Sequence, residues 1–112
     1  MYTLLQSIRY FSPRYKKWVR VPSGRKSDGA TGAKDLTGDV LCQKDNGEDF
    51  LASMSWWVHD ELCLTTIWND GTPVTNWQAS MVLRDILKDE GYTFRARTWT
   101  WATFLFGGRK LR

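Results

Sequence analysis

The sequence predicts a single small α+β domain: an N-terminal β-hairpin, a long Gly/Asp-rich loop and about three α-helices, with helix dominating. Three observations carry that expectation. Apolar and polar residues alternate near the N-terminus, glycine and aspartate crowd the stretch from Ser23 to Gly47, and helical spacing with capping signals runs from Glu48 to Gly91. The chain has 112 residues, the size of one domain (1–112) and enough to bury a core.

Tyr2 to Phe11 mixes β-branched and aromatic residues with loose alternation, as a strand does. Ser12-Pro13-Arg14 interrupts it, and Lys17-Trp18-Val19-Arg20-Val21 reads as a second strand, so the two predict a hairpin. Pro22 ends the pairing because it has no N–H to donate. The following stretch, Ser23 to Gly47, holds five of the nine glycines and is expected to be an irregular loop. Glu48 to about Trp68 predicts a helix, with Leu51, Met54, Val58, Leu62 and Thr65 in one stripe. Asn69-Asp70-Gly71-Thr72-Pro73 is a turn.

The next helix has the clearest start. Thr75 as N-cap and Gln78 three residues on form a capping box, and Val74 is placed to staple onto Ala79. Ala79, Val82, Leu83, Ile86 and Leu87 make its buried stripe, and Gly91 is the expected stop. From Tyr92 to Phe106 alternation (Phe94, Ala96, Thr98) competes with helical spacing (Trp99, Ala102, Thr103, Phe106); a short helix ended by Gly107-Gly108 is favoured.

Hydrophobic residues make up 42% of the chain and charged residues 25%, an ordinary globular balance, but seven tryptophans are many for this length. They serve either a dense aromatic core or an exposed aromatic patch for a partner or membrane surface. No run of about 18 apolar residues is present, and the opening residues lack a basic segment followed by an apolar one. A cytoplasmic protein with free Cys42 and Cys63 is therefore expected.

The net charge of +4 is unevenly spread, since all twelve acidic residues lie between Asp28 and Glu90. Residues 1–27 carry seven Lys/Arg and residues 91–112 carry five, without an acid in either stretch. If the basic ends converge, they attract an anionic partner such as nucleic acid or lipid phosphate. Alternatively they are solvated and pair with the acidic middle. No established nucleic-acid-binding motif stands in the chain.

His59 is the only histidine, and it focuses the question of chemistry. It precedes Asp60 and lies four residues before Cys63, so His59 and Cys63 share a helix face while Asp60 points about 100° away. It is either a general base beside a carboxylate, or a partly buried histidine bonded to a backbone carbonyl. Asp28-Gly29-Ala30-Thr31-Gly32 is a tight acidic loop that serves as a turn or as a ligand loop. The candidate catalytic residues are His59, Asp60 and Asp28, with Gly29, Thr31, Trp56, Trp57 and Asn76 as candidate binding residues. A zinc shell of His59, Cys63, Cys42 and Asp28 is a weaker candidate, because no Cys-x-x-Cys pair accompanies it.

These motifs in order resemble a known pattern. Val21-Pro22-Ser23-Gly24, Asp28-Gly29-Ala30-Thr31, Val58-His59-Asp60, Ala79-Ser80 and Phe106-Gly107 look like the tailed-phage family catalogued as domain of unknown function 1353, over about Val21 to Gly108. The resemblance implies a phage or prophage origin, and with it the cytoplasm of an infected host or the virion. The family's His-Asp helix is in turn similar to the phospholipase A2 site, where a histidine activates water and the next aspartate helps a glycine-rich loop hold calcium. Carried over, that similarity implies His59 as base, Asp60 as calcium ligand and Gly29 to Gly32 as the loop. The departures are Cys63 in place of the supporting tyrosine, Ser80 in place of the second aspartate, and no disulfide framework. Asp28 is the one candidate for the missing carboxylate.

Two functions follow: a site at His59, Asp60 and Asp28 that is a hydrolase-like centre, taking a divalent cation such as calcium or zinc, or its binding-only remnant; or a non-enzymatic virion, assembly or host-factor-binding protein that uses tryptophans and basic ends as its contact surface.

Overall fold

The structure is a computed structural model and describes residues 2–27 and 38–92. Their elements run β1 (Tyr2–Leu4), β2 (Ile8–Ser12), β3 (Lys17–Val21), β4 (Lys26–Ser27), β5 (Val40–Lys44), β6 (Asp49–Ala52), α1 (Met54–Thr65) and α2 (Asn76–Asp89). β2 and β3 form a two-stranded sheet, and the other four strands form an antiparallel sheet in the order β4-β1-β5-β6.

The fold is α+β, with corrections to the expected one. Strand and helix are balanced among the described residues, so the domain is not dominated by helix. The expected loop from Ser23 to Gly47 contains β4 and β5. The helix expected from Glu48 begins only at Met54, because Asp49–Ala52 pairs with β5 as β6. The cause is a turn: Gly47 adopts φ 86°, its N–H donates to Lys44 O, and Glu48 N–H donates to Asn46 Oδ1, so the chain reverses there. The third expected helix, within Tyr92 to Phe106, lies outside the described residues apart from Tyr92.

The expected hairpin is present, with Ile8 opposite Val21, Arg9 opposite Arg20, Tyr10 opposite Val19 and Phe11 opposite Trp18. Tyr2–Leu4 is not part of it and joins the larger sheet instead. Ser12 closes the hairpin turn, its carbonyl accepting from Lys16 N–H and its hydroxyl from Tyr15 N–H. Alternation then decides the two faces: Ile8, Val19 and Val21 are buried, while Arg9, Phe11, Trp18 and Arg20 point outward.

α1 and α2 pack against each other, and α1 also packs against β3. Ser53 caps α1, accepting from Ser55 N–H, and its hydroxyl donates to the Glu90 carboxylate at the far end of α2. Thr66 ends α1 in a left-handed conformation, φ 61°, and the chain turns through a bridge between Ile67 and Pro73. α2 starts in the expected capping box, with Thr75 and Gln78 each satisfying the other's backbone N–H. It stops at Gly91 (φ 93°), where Gly91 N–H donates to Lys88 O and Tyr92 N–H to Leu87 O, the paired bonds of a Schellman ending.

Leu4, Val21, Cys42, Trp56, Trp57, Leu62, Trp68, Val82 and Leu87 fill the core between sheets and helices. Trp56 stacks on Trp57 at 4.6 Å, and Tyr2 meets Trp56 and Phe50 edge-on. Gly38 lies so close to the end of β6 that an added Cβ would stand 2.6 Å from Ala52 O, closer than any side chain tolerates.

Candidate functional site

From Ser55 to Leu62, every residue of α1 except Asp60 is buried, so this helix runs through the interior rather than along the surface. His59 is 7% exposed. Its Nδ1 stands 3.8 Å from Asp60 Oδ1, the distance of an ion pair rather than a hydrogen bond. Cys63 Sγ is 3.9 Å from Nδ1 and 3.8 Å from Nε2. Both are long sulfur contacts, and which group donates depends on the tautomer of the ring. Burial alone would drag the imidazole pKa down, but Asp60 and Cys63 outweigh it, and the pKa is pushed up to about 9. The two neighbours thus favour the protonated imidazole.

The remaining candidates divide. Trp56 and Trp57 are core residues, and the Trp57 N–H donates to Cys42 Sγ at 3.1 Å. Burial pushes the Cys42 thiol up to about 11. Asn76 is the first residue of α2, and Ser80 is buried on the same helix. Asp28, Gly29 and Thr31 lie outside the described residues. Among the described residues, no three of His, Cys, Asp and Glu come together as metal ligands, so His59, Cys42 and Cys63 do not form a zinc cluster.

His59 lines neither of two surface hollows formed by described residues. The larger, about 450 Å³, is an open groove between the hairpin and α2, lined by Tyr10, Pro13, Arg14, Asp85, Lys88 and Asp89. Its charges largely answer each other, because Arg14 holds Asp85 through two hydrogen bonds of 2.9 Å. The smaller, about 160 Å³, lies beside Val19, Arg20, Glu61 and Trp68.

The outward face of β2–β3 has a different character. Phe11 is 40% exposed and Trp18 50%, with ring centroids 5.2 Å apart. Beside them Arg9 stands directly opposite Arg20, an arrangement that costs the sheet stability through like-charge repulsion. Three of the N-terminal cations find acids: Arg14 pairs with Asp85, Lys17 with Asp70, and Arg25 with Glu61. Arg9, Lys16 and Arg20 form no ion pair among the described residues. Strand alternation was the signal for this face, since Arg9 and Phe11, like Trp18 and Arg20, are two residues apart.

Comparison of the chain with models of known families, with curated proteins and with solved structures gives no significant match.

Proposed function

We propose that the protein is a non-enzymatic binding module that engages an anionic partner through the outward face of β2–β3. The observation that carries this is the register of the hairpin, which sets Arg9 against Arg20 and Phe11 against Trp18 on one exposed face. A sheet built only for stability would avoid two arginines side by side with no acid paired to either among the described residues, and an anionic ligand removes that repulsion. The hydrolase-like alternative rests on His59, Asp60 and Asp28. A general base must be neutral when it acts and must reach its substrate, whereas His59 is buried and its neighbours favour the protonated form. That contrast favours binding over catalysis.

By the resemblance of its motifs to the tailed-phage family, the module is phage-encoded and acts in the infected host cytoplasm or in the virion. No helix among the described residues is long and apolar enough to cross a membrane. Retention on an immobilised sulfated polysaccharide, eluted with salt, tests the binding function. Wild-type protein is expected to elute at higher salt than Arg9→Ala/Arg20→Ala. Equal elution of the two proteins would overturn it.

A further inference from the structure

We infer that the partner of this face is single-stranded nucleic acid, with bases stacked on Phe11 and Trp18 and phosphates held by Arg9, Arg20 and Lys16. The inference rests on the binding function proposed above and names the ligand class of the same surface.

Three features of the face lead to it. The first is order along the strands. Arg9 and Arg20 form one row and Phe11 and Trp18 the next, so cation and aromatic follow one another, and exposed Lys16 lies in the adjoining turn. A single strand offers the complementary sequence of phosphate and base. The second is height. All four strand side chains project from the same side of one antiparallel pair, so aromatic and cationic groups are presented side by side. A strand exposes bases and phosphates in the same way, whereas a membrane hides its apolar part beneath its headgroups. The third is looseness. The Arg9 guanidinium lies 6.0 Å from the Trp18 ring centroid, at the outer limit of a cation–π contact, and is free to turn toward a phosphate.

A duplex keeps its base faces covered and would use the cations alone. An acidic polypeptide would likewise engage the arginines without using the flat faces of the rings. Exposed aromatics set beside cations suit a partner with unpaired, stackable faces.

The test is fluorescence anisotropy of the full chain with a labelled oligothymidine of about 16 nucleotides, beside the equivalent duplex, polyglutamate and anionic phospholipid vesicles. The single strand is expected to bind most tightly. Trp18→Leu and Phe11→Leu should each weaken it about tenfold, and Arg20→Ala should lower the salt slope by about 0.7. Both aromatic positions are exposed, and an unchanged melting temperature confirms that each variant is folded. Trp18→Phe, which keeps a ring, should recover part of the lost affinity. If duplex, polyglutamate or vesicles bind as tightly and Trp18→Leu changes nothing, the nucleic-acid inference falls while anionic binding stands. If none of the four ligands binds, both fall.

Discussion

The Arg25 guanidinium grips the Glu61 carboxylate through two hydrogen bonds, 2.7 Å from Nε and 2.9 Å from the terminal nitrogen. Glu61 is 5% exposed, on the buried length of α1, whereas Arg25 approaches from the loop between β3 and β4. The pair joins the N-terminal strands to the central helix, and it answers the only buried carboxylate among the described residues.

Removing the cation should therefore cost more than removing the pair. Arg25→Ala is expected to destabilise by about 2–3 kcal/mol, because it leaves a buried charge with no partner. Arg25→Ala/Glu61→Met should recover much of that loss. Urea denaturation of both variants checks it, and equal stability of the two would show that the buried charge is not the source of the cost.

The two thiols should differ sharply in reactivity. Cys42 is fully buried, with its pKa pushed up to about 11 and its sulfur held by the Trp57 N–H, whereas Cys63 is half-buried. Brief alkylation of native protein, read by mass spectrometry, should modify Cys63 first and Cys42 only after unfolding. Equal labelling of both under native conditions would contradict this packing.

His59 should make stability depend on alkaline pH. Its pKa rises from 6.5 to about 9 on folding, so its stabilising contribution is complete below pH 6.5 and is lost as pH rises through about 9. At about 1.4 kcal/mol per unit, the loss is at most on the order of 3 kcal/mol. As the chain has one histidine, its imidazole NMR signals report the titration directly. His59→Gln should flatten the pH dependence between those limits; a midpoint near 6.5 in the folded protein would refute the assignment.

The two helix N-caps should not be equivalent. Thr75 sits at the surface within its capping box, and Thr75→Ala should cost about 1 kcal/mol. Ser53 is fully buried and bonds Ser55 and Glu90 as well as the helix N-terminus. Ser53→Ala should cost about 2 kcal/mol or more, since it also strips partners from two other groups. Thermal unfolding of the two variants, compared directly, decides the order.

Local chemistry explains which parts of this fold are legible in the sequence. The Thr75–Gln78 box and the Gly91 stop depend on neighbours a few residues away, and both stand where expected. The β5–β6 hairpin carried an equally local signal, Asn46-Gly47 between apolar runs, but the density of glycine and aspartate around it suggested a loop. The state of His59 is a different matter. A stripe from Leu51 to Thr65 implied one buried face on α1, yet Leu51 lies in a strand, Thr65 is exposed, and nearly the whole circumference between Ser55 and Leu62 is covered. Periodicity weakens when a helix is enclosed on all sides, so burial of the histidine follows only from the packing around it. The paired arginines needed the register, which depends on how Ser12 and Lys16 close the turn.

The bond from Ser53 to Glu90 joins the start of the first helix to the end of the second. Together with the packing of α1 on α2 it couples the two ends, so fraying at the end of α2 takes a partner from the cap of α1. The helical pair should thus open as a single foldon, with slow-exchanging amides in both helices sharing one opening free energy. The hairpin is tied to that unit through its inner face, where Val19 and Val21 join the core, while Arg9 and Trp18 lie on the opposite face.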